Sequence, residues 1–181
     1  MPSPPAFGEP FETWVAEHVD VLYRVAYRLL GDRHAAEDVL QDTFQSAWCS
    51  RSRFDASRSE RAWLLAILRR RVADHWRRRN DREVVGGDLV PAPTTAGDDP
   101  FRDELSGALQ EGLAQLPRDI RETLLLVVVG ELTHQEAADL LGVPLGTVLS
   151  RVSRGRSRLR EFLLAGRTGM TRVPDGDRGH G

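Results

Sequence analysis

One stretch, residues 132–160 (LTHQEAADLLGVPLGTVLSRVSRGRSRLR), constrains the fold more than any other. Thr133 with Glu136 three residues later is a capping box, which predicts a short helix over 133–141. Residues 142–146 (GVPLG) form a turn, and Thr147 is the expected cap of a longer basic helix over 147–164. Two helices joined this closely need a small residue where they meet. Ala138, four before Gly142, supplies it, with Val143 and Val148 filling the junction. The pattern is that of a helix-turn-helix. Such a second helix enters a major groove with its first turns facing base edges. Here those turns carry Thr147, Leu149, Ser150, Ser153 and Arg154, with Arg151, Arg156 and Arg158 in reach of phosphates. Free amides at the helix start, helped by the Thr147 hydroxyl, can hold a phosphate. The plain alternative is a helical hairpin with a solvated arginine face. The agreement of cap, turn glycine, small residue and basic helix favours DNA binding, without saying which DNA process.

The rest of the chain also reads as helix. Over 11–30, Val15, Val19, Leu22, Ala26 and Leu29 step by four and three along one face, and Gly31 stops it. Asp32 is the expected cap of a helix over 34–48, with Ala36, Leu40, Phe44 and Ala47 inward and Asp38, Gln41, Asp42 and Gln45 outward. Residues 51–60 are a polar loop around Phe54. Ser59 caps a third helix over 60–79, whose inner stripe is Leu65, Leu68, Val72 and Trp76. Residues 80–100 hold Gly86-Gly87 and three prolines and have no apolar period, so they read as a flexible linker. Phe101, Leu105, Leu109, Leu113 and Leu116 then mark a fourth helix. Pro117 opens a fifth, with Ile120, Leu124, Val127 and Val128 buried and Gly130 at its end. Its valine run favours strand locally, but the helical periods around it prevail. The expected fold is all-α: two small helical domains on a flexible linker, at 11–79 and 101–164. Residues 1–10, with four prolines, are expected to be disordered, and 165–181 to form a mobile tail.

Charge matters through its placement. The net charge is −2, yet residues 61–82 hold eight Arg against Asp74 and Asp81, and 147–167 hold six Arg against Glu161. Every one of the 25 basic residues is Arg, and Arg suits forked contacts to phosphate or guanine. Trp63 and Trp76 interleave with the first arginine block beside Phe54. They serve either as core or as stacking platforms next to cations that hold a single strand. Glu37, Asp38 and Asp42 could form a metal or acid–base group, but Gln41 and Gln45 continue the same face, which favours protein docking. The scattered histidines, His75 and His134 among them, are not at ligand spacing with these carboxylates. Neither a nucleophile–base set nor a phosphate-cradling glycine loop is present, so no catalytic residue, metal or cofactor is expected. One cysteine, Cys49, rules out an internal disulfide and is read as a small buried residue. No apolar run approaches the ~20 residues of a membrane span, and the N-terminus lacks a signal pattern. The expected compartment is the cytoplasm.

With LGDRHAAEDVLQDTF, RAWLLAILRRRVADHWRRR, LPRDIRETLLL and GTVLSRVSRGRSRLR in this order, the chain resembles the sigma-70 family of RNA polymerase sigma factors, in its extracytoplasmic-function group. The resemblance covers 11–79 as region 2 and 101–164 as region 4. It implies a non-enzymatic subunit that binds polymerase core and directs promoter-specific initiation. The Asp38, Gln41, Asp42 and Gln45 face would dock on clamp helices of the largest subunit, with a further contact at the flap. Phe54, Ser57, Arg58, Trp63, Arg70, Arg77 and Arg78 would capture and help melt the minus-10 element, since base capture needs an unstacked nucleotide and a pocket. Thr147, Leu149, Ser150, Arg151, Ser153, Arg154 and Arg158 would read the minus-35 element. Promoter DNA and an anti-sigma factor are the other partners implied. The two elements lie about 85 Å apart, so the linker would be stretched between them, because a relaxed ~20-residue coil spans only ~25 Å.

Two positions depart from the family pattern. Arg70 stands where an I-A-R-N stretch ends in Asn, and Leu149 where Lys or Arg is usual. The first exchanges a directional base contact for a cation that favours guanine or phosphate, and the second removes a charge at the groove. Two other readings are a stand-alone DNA-binding regulator using only the helix-turn-helix, and an enzyme built on the carboxylates. The first leaves the AEDVLQDTF face without purpose.

Overall fold

Apolar spacings of three and four become helix throughout. The computed structural model describes residues 11–55, 57, 59–85 and 104–169, which contain α-helices and one short 3₁₀ turn but no strand among the described residues. In chain order the helices are α1 (Phe11–Leu30), α2 (Arg33–Ser50), α3 (Glu60–Val85), α4 (Glu104–Ala114), α5 (Arg118–Val128), α6 (His134–Leu141) and α7 (Leu145–Gly169). The 3₁₀ turn, Arg51–Arg53, follows α2. The disorder, linker and tail expected over residues 1–10, 86–100 and 170–181, and the roles expected of Arg58 and Phe101, lie outside the described residues.

Helices α1, α2 and α3 form the first half. Gly31 (φ 71°) turns the chain, and the Asp32 carboxylate accepts from the Ala35 amide at 2.8 Å to open α2 as expected. The inner stripes are shifted from the sequence reading. On α1 the buried residues are Trp14, His18, Val21, Leu22, Val25, Ala26, Leu29 and Leu30, while Val15 and Val19 are half-buried. The cause is that α1 is covered on several sides, by α2, α3 and α5. On α2, Ala36, Val39, Thr43 and Ala47 face inward, and Leu40 and Phe44 are half-buried. Small side chains let α2 approach closely, and the buried Thr43 hydroxyl donates to the Val39 carbonyl at 2.7 Å. Leu64, Leu65, Leu68 and Val72 of α3 complete this core. Burying each leucine contributes about 2 kcal/mol. Helix α3 runs to Val85 rather than stopping at 79, because nothing in NDREVV breaks a helix before the Gly86-Gly87 pair.

Helices α4 to α7 form the second half. Leu113 and Leu116 are buried and Leu109 is half-buried. Pro117 is one position earlier than expected, as the cap of α5. Ile120, Leu124, Leu125 and Leu126 are buried and Val127 is half-buried, but Val128 is 49% exposed. Helix α7 meets α5 at Ile120 and Leu124, where Gly155 lies, and the last turn of α5 extends past that crossing. The capping box of α6 forms as read: Thr133 accepts from the Glu136 amide, and the Glu136 carboxylate accepts from the Thr133 amide at 2.8 Å. Gly142 (φ 66°) makes the turn, and Ala138 and Val148 are buried at the junction. Helix α7 begins at Leu145, so Thr147 lies inside its first turn and is not the cap. The Pro144 carbonyl accepts from the Thr147 amide at 2.9 Å and from the Val148 amide at 3.3 Å. A proline just ahead of a helix presets its entry, which displaces the start by two residues.

The halves also touch each other, α1 against α5 and α3 against α6, and their buried residues make one apolar cluster. Arg69 Nε lies 2.8 Å from Glu122 Oε1, and Arg61 pairs with Glu131. Arg28 donates to the Gln110 side chain at 3.2 Å.

Candidate nucleic-acid and partner interfaces

Helix α2 turns Asp38, Gln41 and Gln45 to solvent and leaves Asp42 half-buried. These residues are thus brought together on one outer face, as the spacing implied. Beside them is a groove of about 400 Å³ lined by Asp32, Asp38 and Asp42 on one side and Arg71, His75, Arg78 and Arg79 on the other. Arg78 therefore sits with the acidic face and not with Phe54 and Trp63. Burial lowers the His75 imidazole below its ordinary 6.5, with Arg79 and Arg78 adding to the effect and Asp32 and Asp38 opposing it. A neutral His75 leaves the sign of this groove to the carboxylates and guanidiniums.

Of the two tryptophans read as either core or stacking platforms, Trp63 packs with Phe54 around a third ring, so core packing accounts for part of it. Phe54 and Trp63 are both half-buried. Phe54 meets Trp14 edge-on at 5.1 Å and Trp63 at 5.3 Å, and Trp14 lies 5.9 Å from Trp63. Trp14, buried at 4% exposure, is the anchor around which the two half-buried rings pack. Sequence reasoning missed it, although its place on α1 three residues after Phe11 was a visible signal.

Trp63 lies between two grooves. One, about 520 Å³, is lined by Gln45, Ser46, Cys49, Trp63, Ile67, Arg70 and Arg71 among others. It joins Gln45 of the α2 face to the aromatic and basic residues of α3. Arg71 is held there by the Ser46 hydroxyl, which accepts from Nη2 at 2.6 Å, whereas Arg70 is exposed. Cys49 is exposed, not buried, because it lines this open groove between α2 and α3 instead of the core. Arg77 is also exposed and pairs with Asp74 at 2.7 Å. Trp76 is half-buried, with the Arg79 guanidinium 5.6 Å from its ring. A surface of this composition can hold a phosphate backbone and stack bases.

The second groove, about 600 Å³, has Ser57, Ser59, Ala62, Trp63 and Ala66 on one wall and Glu136, Asp139 and Leu140 of α6 on the other. Two acidic side chains thus face the candidate strand-binding surface. The opposed wall was not visible in sequence, since 73 residues separate Trp63 from Glu136. Burial works to raise the Glu136 carboxyl, but hydrogen bonds from the Thr133 hydroxyl and amide and from Ser59, with the Arg61 charge, outweigh it and hold the pKa below 4.5.

On α7, Leu149 is 48% exposed, Ser153, Arg154, Arg156 and Arg158 are exposed, and Thr147 and Ser150 are half-buried. Leu149, Ser153, Arg154, Arg156 and Arg158 thus lie on the outer side of the helix. Two details differ from the sequence reading. Arg151 is drawn away from a free phosphate contact, with Nη2 3.0 Å from Asp119 Oδ2 of α5. Arg154 folds back onto Ser150, whose hydroxyl accepts from Nη2 at 3.0 Å and donates to the Thr147 carbonyl at 3.0 Å. Leu145, 40% exposed and one turn before Leu149, adds a second apolar residue at the helix start. The i, i+4 spacing of the two leucines could have revealed it.

Comparison with known proteins places this geometry. Residues 14–82 match the family described as Sigma-70 region 2, and residues 106–159 match Sigma-70, region 4. The chain is 37% identical over 154 residues to the ECF RNA polymerase sigma factor SigE of Mycolicibacterium smegmatis, covering 82% of this chain and 60% of that protein. It is 31% identical over 167 residues to the ECF RNA polymerase sigma factor SigW of Bacillus subtilis, covering 86% and 89%. Its fold is similar to that of the sigma factor RpoE from Bartonella quintana, solved in complex with the anti-sigma factor NepR, with a TM-score of 0.77 and 27% identity over 84% of this chain and 96% of that one.

Proposed function

Because the chain belongs to the extracytoplasmic-function group of the sigma-70 family, we propose that it joins polymerase core and carries it to promoters by holding two DNA elements. The acidic and amide face of α2 docks on the clamp helices of the core's largest subunit. The groove through Trp63, Ile67 and Arg70 takes the separated minus-10 strand, with Phe54 and Ser57 at the capturing loop. The exposed start of α7 reads the minus-35 element through Leu149, Ser150, Ser153 and Arg154. An anti-sigma factor is the expected regulator. No described helix is long and apolar enough to cross a membrane.

The observation that carries this reading is the groove in which Gln45 and Trp63 share one wall system. It makes the partner face and the strand-binding face continuous on one domain, so docking on core would place the arginines of α3 beside DNA. A stand-alone regulator has no use for that continuity. The test is run-off transcription with purified core on a promoter library. Transcripts that require both this chain and a shared pair of upstream elements are expected. Failure to associate with core, or an unchanged start-site pattern, overturns the proposal.

A further inference from the structure

One buried side chain is unused by the interfaces above. His18 on α1 is 7% exposed, and neither ring nitrogen has a hydrogen-bond partner among the described residues. Buried imidazoles nearly always satisfy at least one nitrogen, so two open nitrogens need an explanation. The nearest charged atom is Glu60 Oε2, 3.6 Å from His18 Nε2, which is too far for a hydrogen bond. The Glu17 carboxylate completes a group whose three donor atoms all lie within 4.8 Å of one another.

We propose that Glu17, His18 and Glu60 form a site for a divalent transition-metal ion of the zinc class. This goes beyond the promoter-binding reading and does not depend on it. It also revises the sequence expectation that the chain has no metal site. The donor set is one imidazole and two carboxylates. An imidazole among the ligands favours zinc and its first-row neighbours, whereas magnesium and calcium prefer oxygen alone.

The spacing fits that assignment. Ligand atoms around a tetrahedral zinc, each about 2.0–2.2 Å from the metal, stand about 3.3–3.6 Å apart. The His18–Glu60 pair is already at that separation. Glu17 is exposed and the Glu60 side chain is 41% exposed, so both can turn inward by rotamer changes while the packed imidazole stays fixed. Both carboxylates reach solvent, so water is the expected fourth ligand. Sequence spacing alone hides the site, because Glu60 comes from another helix 42 residues after His18.

Position gives the site a consequence. Glu60 is the first residue of α3 and follows the loop that carries Phe54, Ser57 and Ser59. A metal held by α1 and by Glu60 staples the start of α3, and with it that loop, to the core of the first half.

The test uses the full chain, stripped with a chelator and titrated with zinc chloride by calorimetry. One zinc per chain is expected. Glu17→Gln and Glu60→Gln should each weaken binding about ten-fold or more while leaving the metal-free circular dichroism spectrum unchanged. Both positions are partly exposed, so these variants should fold. In the wild-type chain loaded with Co²⁺, paramagnetically shifted proton resonances from a single imidazole are expected, and they report nitrogen coordination directly. No zinc uptake at about 1 mM overturns the proposal. So does unchanged affinity in either glutamine variant, which would move the ion to other groups such as His34 and Glu37, or a Co²⁺ spectrum without a shifted imidazole.

Discussion

Arg69 of α3 and Glu122 of α5 meet at 2.8 Å across the two halves of the chain. Their contact belongs to a set that includes Arg61 with Glu131 and Arg28 with Gln110. In the same arrangement Glu136 and Asp139 face the Ser57–Trp63 wall, where a DNA phosphate would be repelled. The arrangement in which these contacts form therefore sets two carboxylates over the surface proposed to take the DNA strand.

Glu122→Gln should shift the chain towards an open form. Arg69 is 41% exposed at its side chain, so the pair contributes only about 0.5 kcal/mol, or about a two-fold change in the ratio of forms. The exposed Cys49 takes one dye and an Arg156→Cys substitution on α7 the second. Energy transfer should fall in Glu122→Gln, and raised salt should reproduce part of that fall in wild type. Identical transfer in both chains would show that the pair does not hold the halves together.

Leu149→Arg should tighten binding to promoter DNA and steepen its salt dependence. Leu149 is 48% exposed, so the change leaves the core intact. One added phosphate contact makes the slope of log affinity against log salt more negative by about 0.9. Fluorescence anisotropy over a salt series measures it. An unchanged slope would mean that this side of α7 does not face DNA.

Features written in local chemistry were legible. Asp32, Thr133 with Glu136, Gly31 and Gly142 each act within a few residues, so their pattern suffices. Features decided by a distant neighbour were not. Val128 has the period of a buried residue but lies past the α5–α7 crossing, and Arg151 reads as a free cation until Asp119 is found beside it. The start of α7 lay between these cases: Thr147 is a good cap by type, but Pro144 stands three residues earlier. At the candidate sites, residue types at helical spacing identified the α2 and α7 faces. The wall made by α6 opposite Trp63, and the meeting of His18 with Glu60, depend on tertiary packing.

Gly130→Ala should destabilise the fold. An added Cβ would stand 2.6 Å from the Leu126 carbonyl oxygen and 2.9 Å from Leu65 Cδ1. That carbonyl accepts from the Leu132 amide at 3.2 Å and cannot swing away freely. Overpacking of this kind costs about 1–3 kcal/mol. Gly107→Ala is the control, because nothing lies within 4 Å of its added carbon and helix propensity favours it by up to about 1 kcal/mol. Urea unfolding midpoints should move down for the first and hold or rise for the second. Equal midpoints would contradict the close approach at Gly130.

Acid should loosen α6 before the rest of the second half. The native Glu136 carboxyl has a pKa below 4.5, so as pH falls the unfolded chain takes up this proton first. The stability that Glu136 contributes is whole above about 4.5 and is lost as pH drops through its lower native value. Glu136→Gln keeps an oxygen acceptor for the Thr133 amide but carries no charge for Arg61. Thermal unfolding from pH 7 to pH 3 should show wild type ahead of the variant at neutral pH, with the gap closing below about 4.5. A gap that stays constant to pH 3 would mean that the bonds from Thr133 and Ser59 do not favour the ionised form. The Ser59 bond joins α6 to the start of α3, so the same titration reports whether closure over the Trp63 groove is tied to this carboxylate.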